Sequence, residues 1–495
     1  MKAKTILLIL VCCPAFYRPT LGQNGQDTLT LTLERAVNMA IEQSSAIKYV
    51  QNRNVNYYWR WRNFRAGFRP QLTLTSDLPN FRNTNTPVTQ PDGSIVFREI
   101  SILQNSAGLA LEQALPLTGA SIYAASSLFQ IRDFNNETTE YAGNPFYIGF
   151  SQPIFAYNYM KWAKKTEPLV YDEAQKQFIE SVERVSFQAT DHFFRYLRIQ
   201  TNYLLAESNL RNSEINLQIA EVKRELGQIS ENDFSRIKLA VFNAKKALNK
   251  ANMDLKNADF ELKSYIGLEQ NRSIKLEIPL DMHLFEVDPD RALEEALTNR
   301  KETPQFQRRL IQADRDLVQA KRSTGLRSTL TGSFGLTNNA PDLVGIYQEP
   351  EKQQVVRLAL SIPVLDWGRS QSRVRLAESQ RELVLFDVDQ EQRVFEREVV
   401  VQVEQFNLLR DQIHTAEEAD KVAEMGYLIA LKKFQNGEIS ITELNISLSE
   451  RESAKRDYIV SLRDYWQSYF LIRILTLYDF ELDQKISYSN PMLSQ

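Results

Sequence analysis

The feature that most restricts this chain is that it carries one plan twice. Arg35-Ala36-Val37 matches Arg291-Ala292-Leu293, and Ala40 matches Ala296, at an offset of 256. Ser151-Gln152-Pro153-Ile154-Phe155 then matches Ser361-Ile362-Pro363-Val364-Leu365, Gly227-Gln228-Ile229-Ser230 matches Gly437-Glu438-Ile439-Ser440, and Phe260 matches Phe470, all at an offset of 210. The 74 residues from Pro153 to Gly227 therefore recur as the 74 from Pro363 to Gly437. Loops absorb insertions, whereas a packed helix cannot change length without moving every later contact. The constant spacing predicts one long rigid element in each half.

The second half shows what that element is. Val388, Phe395, Leu409, Ala416, Ala423 and Ala430 recur at seven or fourteen residues, and Val399, Phe406, Ile413, Tyr427 and Phe434 form a second series four residues later. This 4-3 spacing is a coiled-coil seam. Gln402 and Asp420 interrupt it, which predicts water or a polar partner at those points. At about 1.5 Å per residue, roughly 65 to 70 helical residues make a rod about 100 Å long. With only 17 Gly and 17 Pro in 495 residues, few linkers break the chain and the elements should be long.

Charge removes one function class. The 59 basic and 62 acidic residues leave a formal net charge of -3, which offers no broad attraction to nucleic acid. At the N-terminus, Lys2 and Lys4, the apolar run from Ile6 to Val11 and Thr20-Leu21-Gly22 read as a secretory signal cut before Gln23. Both cysteines, Cys12 and Cys13, fall inside it, so the exported chain should have neither disulfides nor thiolate metal sites. Lipidation of Cys13 stays open as an alternative.

Beyond the signal, no stretch approaches the roughly 20 apolar residues that span a bilayer as a helix. A membrane crossing would need a closed barrel. Strand character appears in Leu72 to Leu78, Ser106 to Ala114, Ala120 to Ile131, Phe146 to Phe155, Thr329 to Thr337 and Val355 to Ile362, predicting four strands in the first half and two in the second. Leu115-Pro116-Leu117-Thr118-Gly119 reads as a tight turn, and Pro79 to Glu99, Arg132 to Pro145 and Asn338 to Gln353 read as long polar loops. Short turns on one side and long loops on the other is a barrel pattern. Phe68, Phe81, Tyr123, Phe129, Phe146, Tyr147, Phe155, Tyr157, Trp162, Phe334, Tyr347 and Trp367 are expected near strand ends as an interfacial girdle. A β-sandwich using the same residues is the competing reading.

The paired openings Leu33 to Val37 and Asp290 to Leu293, the strand ends Ser-Gln-Pro-Ile-Phe and Ser-Ile-Pro-Val-Leu-Asp-Trp-Gly, and the two Gly-x-Ile-Ser tips, in duplicate and in order, resemble the TolC-like outer-membrane efflux protein family over nearly all of the exported chain. The resemblance implies a mixed α and transmembrane-β fold. A duplicated strand and long-helix-hairpin unit would form, as a homotrimer, an outer-membrane β-barrel continued by a periplasmic α-helical barrel. It divides the chain into a signal (1–22), an N-terminal periplasmic strand and helix (23–67), strands of the first copy with an extra hairpin near Ser106 to Ile131 (68–156), and helical hairpin 1 (157–267). There follow an inter-repeat belt (268–288), the helix opening the second copy (289–325), its strands (326–366), hairpin 2 (367–480) and a tail (481–495).

The implied function is passive export as the exit duct of a tripartite system, with a periplasmic adaptor, an inner-membrane pump and outer-membrane lipid as partners. A periplasmic coiled-coil scaffold without a pore is the alternative. By the same resemblance, the adaptor docks on the hairpin tips, Gly227, Gln228, Ile229, Ser230 and Asp233 with Gly437, Glu438, Ile439 and Ser440, and Glu443 begins an acidic ring at the tunnel entrance. Ile446 stands where the family has a second acid, and Phe434 and Ile439 replace a Tyr and an Arg that latch the family's closed state.

Local chemistry at the tips is legible without the family. Basic residues suit a helix C-terminal turn, Gly227 and Gly437 supply left-handed residues, and Ser230 with Asp233 or Ser440 with Glu443 would form capping boxes. His192, His283 and His414 share no spacing; His192 and His414 read as helix-surface residues. No nucleophile, phosphate-loop or metal constellation is visible, so no enzyme, cofactor or metal is expected. Tyr57-Tyr58-Trp59-Arg60-Trp61 reads as an interfacial anchor, and Ile274 to Ile278 as a short belt strand.

Overall fold

The structure is a computed structural model and describes residues 29–279, 282 and 284–493. The signal with Cys12, Cys13 and Gln23, and His283, lie outside the described residues. In chain order the first copy runs β1 (Leu29–Leu31), α1 (Leu33–Gln43), α2 (Ser45–Ala66), β2 (Gln71–Asp77), β3 (Phe81–Thr89), β4 (Ile95–Leu115), β5 (Ala120–Asp133), β6 (Thr138–Ile154), α3 (Tyr159–Glu225) and α4 (Glu231–Ile266). The second runs β7 (Ile274–Leu276), α5 (Pro289–Asn299), α6 (Glu302–Thr324), β8 (Arg327–Ala340), β9 (Glu351–Ser361), α7 (Arg369–Asn436) and α8 (Ile441–Thr476). Two short strands, β10 (Tyr478–Asp479) and β11 (Gln484–Lys485), close the chain.

The duplication governs the helices closely. Their lengths are 11, 22, 67 and 36 residues in the first copy and 11, 23, 68 and 36 in the second. The first pair of short helices is split at a capped break, whereas Lys301 at the start of α6 makes no side-chain cap and the second pair is capped where it opens. Ser44 accepts from the Ile47 N–H, and Asp288 accepts from Asp290 and Arg291 ahead of Pro289 at the first turn, a position where Pro loses no helical bond. In α7 the seam residues Val388, Phe395, Val399, Phe406, Ile413, Tyr427 and Ala430 are buried. The two interruptions are met by α8 rather than by water: Gln402 donates to Ser468 at 2.8 Å and Lys455 reaches Asp420 at 2.8 Å.

α3 and α8 pack together, with α4 beside α3 and α7 beside α8. Midway along the rods, β1 and β7 pair in parallel and, with α1 and α5, wrap the bundle over the largest apolar core. Leu31, Ala36, Phe193, Phe194, Leu262, Ile266, Ala292, Val399, Phe406 and Leu462 meet there. The belt strand expected at Ile274 is β7.

Seven strands form one antiparallel sheet in the order β2-β4-β5-β6-β8-β9, with β3 also on β4. β2 covers Ser106 to Glu112 of β4 and β3 covers Ile95 to Leu103, so the two lie end to end and the sheet is six positions wide. Four positions come from the first copy and two from the second, as the sequence implies. Leu72, Leu111, Ala124, Ile148, Phe334 and Gln354 form one cross-strand row. The face of that row carries Leu72, Leu74, Leu109, Leu111, Ile122, Ile148, Phe150, Phe334, Val356 and Leu358, every one of them exposed. The opposite face carries Thr73, Thr75, Ser121, Ser127, Ser151, Thr331, Ser333 and Arg357, in register with one another. Such a sheet presents one face to hydrocarbon and one to water.

Four expectations are corrected. Pro79 to Glu99 is not a loop but β3 and the start of β4, and Arg132 to Pro145 is mostly strand, with a turn at 134–137. Asn- and Thr-rich segments still pair when a partner strand lies alongside, because a ladder standing in water needs no apolar face. The girdle is partial: Phe155, Tyr157, Trp162 and Trp367 lie at the lower strand ends, whereas Tyr123, Tyr147 and Phe334 are mid-strand. A Cβ at Gly149 would strike the Tyr123 ring and one at Gly332 the Phe150 ring, so these rings cover glycines on neighbouring strands. His192 is half-buried and stacked on Tyr265 at 4.5 Å, and burial lowers its pKa; His414 is exposed.

Candidate functional site

The two helix hairpins end in nearly the same chemistry. At the first tip Gly227 has φ 70°, its N–H donates to the Arg224 carbonyl, and the Gln228 N–H donates to Lys223 at 2.7 Å. At the second Gly437 has φ 81°, its N–H donates to Phe434, and Glu438 donates to Lys433 at 2.9 Å. Both are Schellman closures, which need a left-handed residue at the glycine. The returning helices differ. Ser440 and Glu443 make a full capping box, with the Ser440 N–H on the Glu443 carboxylate at 2.9 Å. Ser230 caps the Asp233 N–H at 3.1 Å, but its hydroxyl donates to the Asp233 carboxylate at 2.7 Å. The first box is therefore half formed: Asp is one methylene shorter than Glu.

Ile229 packs with Ala220, Phe234 and Ile237, and Ile439 with Tyr427, Ala430 and Leu444. Phe434 and Ile441 touch both groups, which brings the two tips side by side. Lys223 comes within 3.6 Å of the space beside Gly437. Phe434 therefore serves as a packing residue between hairpins. Gln228, Glu438 and Glu443 are exposed, as is Ile446 at 54%. Glu443 is committed to its cap and Ile446 offers an apolar surface, so the single chain brings no second carboxylate of this set to Glu443.

Other contacts that set the tips' position carry little signal in sequence. Asn212 of α3 donates to the Tyr427 hydroxyl at 2.9 Å, and Arg451 lies 4.0 Å over the Tyr427 ring. Higher up, Glu183 of α3 is fully buried and receives Arg473 of α8 at 2.8 and 2.9 Å and the Tyr488 hydroxyl at 2.5 Å. Arg473 also pairs with Asp479. Burial works against the Arg473 charge, but the Glu183 hydrogen bonds outweigh it and raise the pKa. Beside this clamp, burial would raise the Glu180 pKa, yet the Lys301 hydrogen bond with the Lys301 and Arg300 charges holds it below the usual value. Arg473 thus ties the second hairpin to the first at mid-length, and Arg300 and Lys301 tie the α5–α6 break to α3. Among the described residues no helix is long and apolar enough to cross a membrane.

Both outer helices keep an unused apolar stripe. On α4 it is Leu239, Phe242, Met253 and Phe260, and on α7 it is Val394, Val401, Leu408, Val422 and Ile429, all exposed. The α7 residues repeat at seven or fourteen, the mark of a second coiled-coil seam awaiting a partner.

The family model for outer membrane efflux proteins matches residues 292–469. No curated protein sequence matches the chain. Among solved structures, a membrane protein from Pseudomonas aeruginosa is 15% identical with a TM-score of 0.64, covering 93% of this chain and 92% of its own. The Campylobacter jejuni CmeC outer membrane channel is 12% identical with a TM-score of 0.64, over 93% and 88%. The Neisseria gonorrhoeae MtrE outer membrane channel, in its open state, is 13% identical with a TM-score of 0.58, over 90% and 88%. The TolC-like resemblance is thus present in sequence across the second copy and in fold across the chain.

Proposed function

We propose that this chain is one subunit of an outer-membrane exit duct. Three copies close a single barrel in the bilayer and continue it as a helical tunnel through the periplasm, where the hairpin tips receive an adaptor coupled to an inner-membrane pump. The observation that carries this reading is the sheet: apolar on one exposed face, polar on the other, open at both edges, and continuous with rods about 100 Å long. Open edges do not persist in hydrocarbon. Even eight strands enclose little more than side chains, so six positions require other copies.

The register supports closure by repetition. The row from Leu72 reaches β9 at Gln354. Leu72 is one residue from the lower end of β2, and Gln354 is seven from the lower end of β9 at Ser361. The row therefore climbs about one residue per strand; ~3.3 Å of rise across ~4.8 Å of spacing is a strand tilt of about 35°, which suits a closed barrel. The stripes on α4 and α7, at opposite flanks of the helical layer, would meet between copies in the same way. An exit duct needs no catalytic residue; Glu443 supplies charge at the narrow entrance.

Reconstitution in planar bilayers tests the reading. Uniform conductance steps are expected. A monodisperse protein that stays soluble without detergent and conducts nothing would replace the duct with a periplasmic coiled-coil scaffold.

A further inference from the structure

Above the level of the barrel, β3 and the first part of β4 form an arm. β4 meets β5 only as far as Ile102, opposite Asp133 at the end of β5, and the seven residues from Ile95 to Ser101 continue upward paired with β3 alone. The arm's base is braced by the β5–β6 turn, where Phe134 donates to Ser101 at 2.9 Å and packs edge-on against Phe81. Its upper part has Ile95 at 63% and Phe97 at 69% exposed. An isolated two-stranded ribbon in water is marginal, so this arm lacks a support that one chain does not supply.

We propose that the arm is an inter-subunit clasp: the β3 edge receives the β8–β9 loop and upper β9 of the neighbouring copy of this chain, above the seam where β9 meets β2. This rests on the three-copy barrel proposed above and adds to it a register and a second storey. Levelling the lower ends of the edge strands sets Gln71 opposite Ser361 of the next copy. Thr73 then faces Ala359 among the polar residues, and Leu72 faces Leu360 among the apolar ones. Both faces agree, as a shared sheet demands.

The break between β2 and β3 adds one residue: Asp77 to Phe81 spans four steps while their partners Ser106 to Leu103 span three. Beyond it the same seam sets Arg82 opposite Glu351 and Thr84 opposite Glu349. Arg82, Glu349 and Glu351 are all exposed, and none of them makes an ion pair among the described residues. Lower down, Asp77 and Arg357 fall on the polar face one diagonal apart, within reach of long side chains. The loop that would lie along β3 carries Leu343, Val344 and Tyr347, exposed at 47, 64 and 57%. Unpaired charge of opposite sign and exposed apolar surface thus lie on the two edges at matching heights.

Engineered cysteines read this directly, because the only native cysteines are Cys12 and Cys13. One variant carries Thr73→Cys with Ala359→Cys at the seam, and the other Thr84→Cys with Glu349→Cys at the arm. After oxidation or a short thiol cross-linker, both should give covalent three-chain species on denaturing gels, and each single cysteine should not. Seam trimers with an arm variant that stays monomeric would overturn the clasp and leave the barrel standing. Failure at both positions would remove the three-copy barrel, and the clasp with it. A reciprocal exchange, Arg82→Glu with Glu351→Arg, should restore arm cross-linking that Arg82→Glu alone reduces severalfold; no effect of either would also overturn the clasp.

Discussion

The two copies within this chain agree in their helices and disagree in their strands. Short and long helices match to within one residue, whereas the strand region runs from Gln71 to Ile154 in the first copy and from Arg327 to Ser361 in the second. The difference follows from how each element is held. A residue added inside a packed helix turns everything beyond it by about 100°, while a hairpin added to an antiparallel sheet extends it by two strands and leaves existing pairs in place. The copies also differ at equivalent positions. Arg473 and Lys263, separated by the 210-residue offset, are both bases at the end of a returning helix, Lys263 buried and Arg473 with 14% of its side chain exposed. Arg473 crosses to Glu183 on another hairpin; Lys263 stays on its own helix, 2.5 Å from Asp259.

The sharpest way to break this comparison is a one-residue insertion. A single Ala placed after Gly426 in α7 should carry Tyr427, Ala430 and Phe434 off the seam, with loss of the protease-resistant tip, whereas a Gly inserted between Asn135 and Asn136 should leave the digestion pattern unchanged. Equal tolerance would mean that packing does not fix helix length. Next in size, Arg473→Met should cost about 3–5 kcal/mol, because it strands the buried Glu183 charge. Lys263→Met should cost clearly less, since the Asp259 side chain keeps 27% of its exposure. Denaturant midpoints in detergent compare the pair, and equal losses would erase the distinction between crossing and local bases.

Smaller effects separate the tips. Ser440→Ala should cost about 1 kcal/mol and Ser230→Ala somewhat less, because only Ser440 is part of a full box. Glu443→Gln should keep the cap and lower the cation-to-anion permeability ratio in dilute salt, as removal of a carboxylate from a constriction does. An unchanged reversal potential would reduce Glu443 to a helix cap. The smallest effect is in pH. Glu180 is matched by Gln390 in the second copy, and its pKa is held below the ordinary 4.5. A carboxylate of this kind contributes stability above its unfolded pKa and loses it as pH falls through the folded value. Glu302, pushed upward by burial, acts with the opposite sign, so the readout is a difference: below about pH 4.5, Glu180→Gln should flatten part of the parent's loss of stability. Parallel curves would contradict this.

Much of the fold was legible because a heptad seam and a repeat are one-dimensional signals. Val399, Phe406 and Ile413 declare a buried stripe by spacing alone, and Gly437 declares a hairpin tip. The strands were less legible. Asn83, Thr84 and Asn85 carry no apolar alternation, so the arm they build read as a loop. Ion pairs between distant segments, such as Glu183 with Arg473, leave no periodic trace, and the half-formed box at Asp233 depends on a single methylene. The tips could be located in sequence, whereas Phe434 became a packing residue only once both hairpins were seen together.

The central claim is that three of these chains, and not one, make the working unit. Native mass spectrometry of the detergent-extracted, full-length exported protein tests it most directly. The account requires a species of three chains that persists at collision energies that strip detergent. A dominant single-chain ion, folded and free of partners under those conditions, would contradict it.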